Sequence, residues 1–252
     1  MRSALSLVTA LALALPAWAA AQTPTEVVVR VSAHDAKLIG SGVGGARVTI
    51  RDARSGAVLA EGLHEGSTGE TSRIMGPHER GAQIYDTEGA AAFRATLDLM
   101  RPTVVEIVAE GPLGAPWATQ RATQTMLLVP GKHVLGEGIR LELWGFTVEL
   151  QDPTPEGAAR GEAIPVRARV TMLCGCPTEP GGLWDANDYE IVARVLADDA
   201  VIAETPLAFS GTTSVYEGTL TLARTGSFQL EVLAMDPRKG NFGVVSRTLS
   251  VR

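Results

Sequence analysis

The sequence predicts an all-β protein made of two consecutive β-sandwich domains. Its apolar residues fall in short runs rich in Val, Ile, Leu and Thr, and Gly, Pro and Asp separate these runs, which is the pattern of strands joined by turns. Between Phe93 and Leu99 apolar and polar residues alternate, so one face of that strand is expected in a core and the other in water. No segment has the long apolar periodicity of an amphipathic helix.

Residues 1–21 have the order of a cleaved export signal. Arg2 precedes an apolar run at 5–15, and Pro16 and a short alanine-rich stretch precede Gln22. A charged start, an apolar centre and small residues before the cut are typical of a signal peptide. This apolar run is half as long as the stretch of about 20 residues that a membrane-spanning helix needs. The mature protein is therefore predicted to be periplasmic or secreted, without a membrane span.

The first domain is predicted over residues 22–145. Its strands are expected at 26–33, 46–52, 57–61, 90–99, 103–110, 122–129 and 138–144. The turn Asp52-Ala53-Arg54-Ser55-Gly56 is predicted to close the hairpin between the second and third strands, and the glycines at 40–45 to form another hairpin loop. Residues 62–89 have no strand periodicity. A loop that long inside a compact domain is uncommon, and it is predicted to be either functional or disordered.

Three stretches of the first domain resemble a known type of sandwich. They are residues 45–52, residues 55–60 and residues 86–89 before Phe93. Their turn and core patterns are similar to those of transthyretin-like, carboxypeptidase-regulatory-like β-sandwiches of bacterial exported proteins. The resemblance implies a module that docks, orients or binds. The Tyr-Arg-Gly-Ser motif of the transthyretin relatives that hydrolyse hydroxyisourate is absent from the sequence, so their activity is not implied.

The second domain is predicted over residues 146–252. Its strands are expected at 146–150, 163–173, 189–196, 201–205, 215–222, 227–235 and 243–251. The run 226–236, closed by Gly240-Asn241, resembles the last hairpin of bacterial immunoglobulin-like domains, which implies a fold and no function. Because only Gly145 interrupts the apolar-rich stretch 141–150, the two domains are expected to be stiffly coupled.

Both cysteines lie at the end of the second strand of this domain. Met172, Cys174 and Cys176 are spaced by two, so a continuing strand would place them on one face, although Gly175 and Pro177 predict a turn. In an oxidising compartment a Cys174–Cys176 disulfide is favoured. One alternative is a Cu(I) site of Met172, Cys174 and Cys176, because thioether and thiolate ligands select Cu(I). The other is two free thiols, either buried or used in thiol exchange.

The histidines have no metal-ligand spacing and are expected in solvated loops; they are His34, His64, His78 and His133. Residues 185–190 have the polar pattern of a calcium linker or of a turn into the next strand. Trp117 and Trp184 are candidates for stacking against sugars, whereas Trp144 is expected to pack at the domain junction.

Charge and motifs together lead to a functional prediction. A net charge of −6 and a pI near 5.3 argue against nucleic acid and anionic membranes as partners, since both attract clustered Lys and Arg. The sequence predicts an exported, non-enzymatic binding or structural accessory protein of the cell envelope, which acts through an envelope or extracellular protein partner. The alternative is a periplasmic Cu(I)-binding or thiol-redox protein that uses Met172, Cys174 and Cys176.

Overall fold

The computed structural model describes residues 23–153 and 158–252. The predicted export signal lies outside these residues. The described chain is all-β and forms two consecutive sandwiches, as the sequence predicts; its helical parts are α1 (Thr71–Met75) and short 3₁₀ turns. None of the helices in the described ranges has the length and apolar character needed to cross a membrane.

Seven strands of the described chain build the first sandwich. One sheet has the order β4-β1-β7 and the other has the order β3-β2-β5-β6. All neighbouring strands run antiparallel except β1 and β7, which are parallel. The strands are β1 (Thr23–Ala33), β2 (Ala46–Asp52), β3 (Val58–His64), β4 (Phe93–Leu99), β5 (Thr103–Gly111), β6 (Gln120–Leu128) and β7 (Val134–Leu143).

The second sandwich has the strand order of an immunoglobulin-like domain. Its sheets are β12-β13-β9-β8 and β11-β10-β14-β15. Lettered in chain order, these are the D-E-B-A sheet and the C′-C-F-G sheet of that fold. The strands are β8 (Phe146–Asp152), β9 (Ala163–Met172), β10 (Glu190–Ala197), β11 (Ala200–Pro206), β12 (Ala208–Phe209), β13 (Val215–Thr221), β14 (Gly226–Asp236) and β15 (Asn241–Val251).

The predicted strands agree with the observed ones apart from their ends and β12. The two-residue β12 was not predicted because it is too short to show alternation. β7 begins at Val134, four residues before its predicted start, since its first part is irregular: Val27 pairs with Val134 and Val29 with Ile139. A bulge of this kind hides the period-two pattern. The predicted turn after β2 is confirmed, because the Asp52 carboxylate accepts hydrogen bonds from the backbone N–H groups of Arg54 and Ser55.

The long loop between β3 and β4 packs against the first domain. It lies on the outer face of β1, where Val28, Arg30 and Ser32 are no more than 2 % exposed. Its own small apolar cluster contains Ile74 of α1 and Ala91. The loop therefore acts as a cover over one sheet of the first domain.

Two charged side chains fasten this cover to the sheet. The buried guanidinium of Arg30 donates to the Asp86 carboxylate and to the carbonyl oxygens of Ala91 and Gly136. From the bulge of β7, the Glu137 carboxylate accepts hydrogen bonds from three consecutive backbone N–H groups at residues 84–86, at 2.9–3.0 Å. A charge buried with this many partners is stabilised, whereas the loss of one partner is costly.

His64 is buried, so its expected place in a solvated loop is wrong. It ends β3 and its exposed fraction is 0 %. Its Nε2 accepts a hydrogen bond from the backbone N–H of Val31 at 3.0 Å, and its Nδ1 lies 3.0 Å from the carbonyl oxygen of Ile39. This arrangement requires the neutral ring with its proton on Nδ1. Burial lowers the pKa of His64 to about 4, and the positive charge of Arg30 acts in the same direction.

We predict that His64 makes the protein less stable in mild acid. An unfolded histidine has a pKa of about 6.5, above the folded value of about 4, so the unfolded chain binds more protons between these values. The free energy of unfolding should fall by about 3 kcal/mol from this group as the pH falls from about 6.5 to about 4. Urea unfolding across this range should show the loss in the wild type.

The matched variants are His64→Gln and His78→Gln. His64→Gln should be less stable at pH 7 because it loses a buried hydrogen-bonded ring, and its stability should change less between neutral and acidic pH. His78 is exposed, so His78→Gln should keep the wild-type pH dependence. Equal pH dependence in all three proteins would contradict the role of His64.

Candidate functional site at the domain junction

The two cysteines form a disulfide in a tight hairpin after β9. The Cα atoms of Cys174 and Cys176 are 5.4 Å apart, and the two residues are 4 % and 5 % exposed. The backbone N–H of Met172 donates to the carbonyl oxygen of Cys176 at 3.1 Å, which closes the hairpin. Of the three alternatives that the sequence left open, the structure therefore has the disulfide.

This hairpin packs against the first domain. Gly175 has a φ of 79°, and a Cβ atom placed on it would lie 2.7 Å from Cγ1 of Val43. Both its left-handed backbone and this close approach require glycine. On the other side, the hydroxyl of Tyr189 lies 4.0 Å from the Met172 sulfur and donates to it. The disulfide thus lies between two domains rather than at a free pole.

The three predicted metal ligands are adjacent, although their sulfurs are engaged. Met172 is 1 % exposed, and the cysteine sulfurs are bonded to each other. In this oxidised form neither cysteine offers the thiolate that a soft metal needs. Cu(I) binding by Met172, Cys174 and Cys176 remains a prediction for the reduced protein.

The connection between the domains consists of Trp144 and Gly145. Asn241, at the start of β15, fixes this connection: its side-chain oxygen accepts from the backbone N–H of Gly145 at 2.8 Å. Its side-chain amide donates to the carbonyl oxygen of His34 at 3.3 Å. Asn241 is 0 % exposed, so one buried side chain joins the first domain, the connection and the second domain.

Each tryptophan of the described chain contacts the junction. The Trp144 ring stacks on the His34 ring, with centroids 3.4 Å apart and planes at 8°. Nε1 of Trp184 donates to the carbonyl oxygen of Asp35 at 2.9 Å, and the Asp35 carboxylate pairs with Lys239 at 2.7 Å. Trp144, Trp184 and Lys239 belong to the connection or to the second domain, whereas His34 and Asp35 directly follow β1 in the first domain.

Trp117 crosses from the first domain to the edge of the second. It lies in a 3₁₀ turn at Pro116–Ala118, and its Nε1 donates to the carbonyl oxygen of Val148 in β8 at 2.9 Å. The next outward carbonyl on β8, that of Leu150, accepts from Arg247 at 2.9 Å. Edge strands with unpaired backbone groups invite association, and these two side chains occupy that edge.

An open apolar groove adjoins Trp117. It has a volume of about 240 Å³ and lies between the first domain and the outer face of the C′-C-F-G sheet. Its floor comes from β14 and β15, where Leu233 is opposite Val244 and Met235 is opposite Phe242. Gln120 is the only side chain with a hydrogen-bonding group besides Trp117 in its lining. The groove is therefore suited to apolar groups and poorly suited to sugars or ions.

The polar segment at 185–190 forms a capped turn. The Asp185 carboxylate accepts hydrogen bonds from the backbone N–H groups of Gly181 and Asn187. These hydrogen bonds lower the pKa of Asp185, because they stabilise the charged form. Among the described residues there is no group of three or more His, Cys, Asp or Glu side chains arranged to hold a metal ion.

The structure brings together residues that sequence reasoning kept apart. It places the predicted cysteine hairpin and Trp144 at one junction, as well as Trp184, which was considered for sugar stacking. Sequence reasoning placed Asn241 in a hairpin turn but missed its contacts at the junction, and it missed the groove beside Trp117. The available signal was the alternation of β15, whose outward positions include the apolar residues Phe242 and Val244, where a solvated face would carry polar residues.

No protein-family model matches the chain, and no curated protein matches it in sequence. Solved structures of β-sandwich proteins do match. The fibronectin type III-like modules of Clostridium thermocellum CbhA are 12 % identical with a TM-score of 0.29, and the match covers 91 % of this chain and 94 % of that one. The complex of Dpr2 Ig1-Ig2 with DIP-Theta Ig1-Ig3 gives 10 % identity and a TM-score of 0.29, over 90 % of this chain and 99 % of that one.

An engineered protein gives a TM-score of 0.31 at 12 % identity, and the match spans 48 % of this chain but 24 % of the engineered one. Because all these TM-scores are low, the immunoglobulin-like assignment of the second domain rests on its own strand order.

We predict that Asn241 holds the junction rigid. Asn241→Ala leaves the N–H of Gly145 and the carbonyl of His34 without partners, which should lower the free energy of unfolding by about 3 kcal/mol. Chymotrypsin should cut after Trp144 much faster in this variant than in the resistant wild type. Asn187→Ala, at an exposed turn position, is the control and should change stability by less than about 1 kcal/mol. Rapid cleavage after Trp144 in the wild type would contradict the prediction.

Proposed function

We propose that this protein is an exported, non-enzymatic binding or structural accessory protein of the cell envelope, and that it acts through an envelope or extracellular protein partner. The observation that supports this most is the junction, where two sandwiches are held in one orientation beside an open apolar groove. The reactive side chains already have partners within the protein. The cysteines are bonded to each other, and both ring nitrogens of His64 have backbone hydrogen-bond partners.

The finer assignments belong to the same proposal. The first domain is a transthyretin-like, carboxypeptidase-regulatory-like sandwich; its support is the strand order with a parallel β1–β7 pair, which differs from the order of the second domain. Export to the periplasm or beyond is supported by the order of residues 1–21 and by the disulfide, since disulfides persist in oxidising compartments.

Site-specific photocross-linking in the cells that make the protein tests this proposal. A benzophenone amino acid is placed singly at three exposed positions: Arg80 in the covering loop, Leu127 on β6 and Val244 beside the groove. At least one position should give a discrete adduct, and mass spectrometry should identify the same envelope or extracellular protein in it from independent cultures. The absence of a reproducible protein adduct at all three positions would contradict a partner-binding role.

Cu(I) binding is the second candidate function. The hydrogen bond between Met172 and Cys176 favours it, because it keeps the thioether and the thiols on one hairpin. The disulfide stabilises the fold only weakly, because closing a loop of about three residues contributes only about 1.6 kcal/mol through the chain entropy of the unfolded state. A weakly stabilising disulfide is comparatively easy to reduce.

Titration of reduced protein with Cu(I), in competition with bathocuproine disulfonate, measures this second function. Reduced protein should bind one Cu(I) per chain, and Met172→Leu should weaken binding about tenfold, because leucine keeps the volume and removes the sulfur. Met100→Leu is the matched control, since Met100 is 58 % exposed and far from the hairpin in sequence. Reduced protein that takes up no Cu(I) would exclude this function.

A further inference from the structure

We propose that the groove beside Trp117 binds an extended segment of a protein partner, which carries apolar side chains at alternate positions. This inference rests on the proposed binding function and names the site and the chemistry of its ligand. The residues that line the groove include Trp117, Gln120, Leu233, Met235, Phe242 and Val244.

The floor of the groove has two apolar rows. Cross-strand pairing places Leu233 opposite Val244 in one row and Met235 opposite Phe242 in the other, and directly opposite residues share a face of the sheet. The rows are two residues apart along each strand, which is roughly 7 Å. In an extended segment the side chains at positions i and i+2 have the same separation. One such side chain fits each row.

An ion pair and the Trp117 ring bound the groove. Beyond the Leu233 row the next pair is Arg194 and Glu231, whose side chains form an ion pair at 2.8 Å. Beside β15, Trp117 is held by its hydrogen bond to the carbonyl oxygen of Val148. Its ring therefore has a fixed place, and a rigid aromatic wall loses little conformational entropy when a ligand binds.

The exposed area favours a short segment over a second copy of the chain. Trp117, Phe242 and Val244 are 54 %, 53 % and 50 % exposed. A half-exposed aromatic side chain leaves roughly 100 Å² of apolar surface and a half-exposed valine leaves less, so these three residues leave at most roughly 300 Å². A stable dimer buries about 800 Å² on each partner, of which roughly 450 Å² is apolar. The apolar surface is too small for that dimer and sufficient for two or three side chains.

The chemistry of the lining excludes other ligand classes. Sugars and ions need several polar partners once they are desolvated, and the lining offers the single amide of Gln120, because the Trp117 N–H is already bonded. The apolar surface also continues the packed junction, since Phe146 belongs both to the groove and to the buried core. An apolar side chain from a partner would extend an existing core.

Peptide binding to the full chain tests the inference. The probes are two blocked pentapeptides of equal composition, Thr-Leu-Thr-Leu-Thr and Thr-Thr-Leu-Leu-Thr, and the readout is the NMR resonance of the Trp117 indole N–H. The first peptide, with leucines at i and i+2, should shift this resonance and bind at least tenfold more tightly than the second. Equal binding of the two peptides would overturn the proposal.

Variants locate the binding surface. Phe242→Thr with Val244→Thr keeps β-forming residues at exposed positions, and it should lower the affinity for the first peptide at least tenfold with an unchanged melting temperature. Val104→Thr with Leu127→Thr, at exposed positions of the first domain, should leave the affinity unchanged. If the groove variant melts lower, Val244→Thr alone, which is nearly isosteric, provides the measurement. Unchanged affinity in the folded groove variants overturns the proposal.

Two further outcomes would assign the surface to another occupant. Sedimentation that shows micromolar dimers, lost in the groove variant, would identify a second copy and overturn the proposal. A shift of the Trp117 resonance by cellobiose that matches the peptide shift would do the same in favour of sugars. The cross-linking results separate this inference from the proposed function. An adduct at Arg80 or Leu127 without one at Val244 would support the proposed partner-binding function and contradict binding of the partner in the groove.

Discussion

The connection of Trp144 and Gly145 is the constraint on which the relation of the two domains depends. Two residues cannot span a gap, so β7 and β8 must end and begin beside each other. The buried side chain of Asn241 then fixes the connection by bonding to Gly145 and to His34. Other contacts exist only in this orientation: Gly175 against Val43, Trp184 against Asp35, and Trp117 against β8. Each adds to the junction, and the short connection favours all of them because it keeps the two domains close together.

The sequence predicted the strands well because the alternation of apolar and polar residues that marks a strand lies within the strand itself. On β9 and β14 the inward side is read directly from alternate residues, and the buried positions Val166, Ala168, Leu230 and Val232 match that alternation. Sequence-based prediction failed where the position of a residue depends on contacts with residues far away in the chain. His64 is buried because β1 and the segment at Ile39 both bond to its ring, and Arg30 meets Asp86 across 56 positions of sequence. Such pairs have no periodic signature, so the packing of the loop over β1 could not be predicted.

The candidate site shows the same division between local and distant causes. A disulfide between residues two apart is a local feature, and the predicted compartment and the spacing of the cysteines sufficed to favour it. Its position between domains is not local, since Val43 approaches Gly175 from the other sandwich. The groove required three elements at once: the 3₁₀ turn that carries Trp117, and the facing rows of β14 and β15. Exposed apolar residues on β15 were visible in sequence, whereas the aromatic wall beside them was not.

The two sides of the junction differ in a way that bears on function. On the cysteine side the first domain closes over the hairpin, and Cys174 and Cys176 are almost fully buried. On the Trp117 side the same packing stops short and leaves Phe242 and Val244 half exposed. A junction that needed only rigidity would bury both sides, because exposed apolar area gives no stability. The closed side therefore contributes to the fixed orientation, and the open side is the part of the junction where we propose that a partner binds.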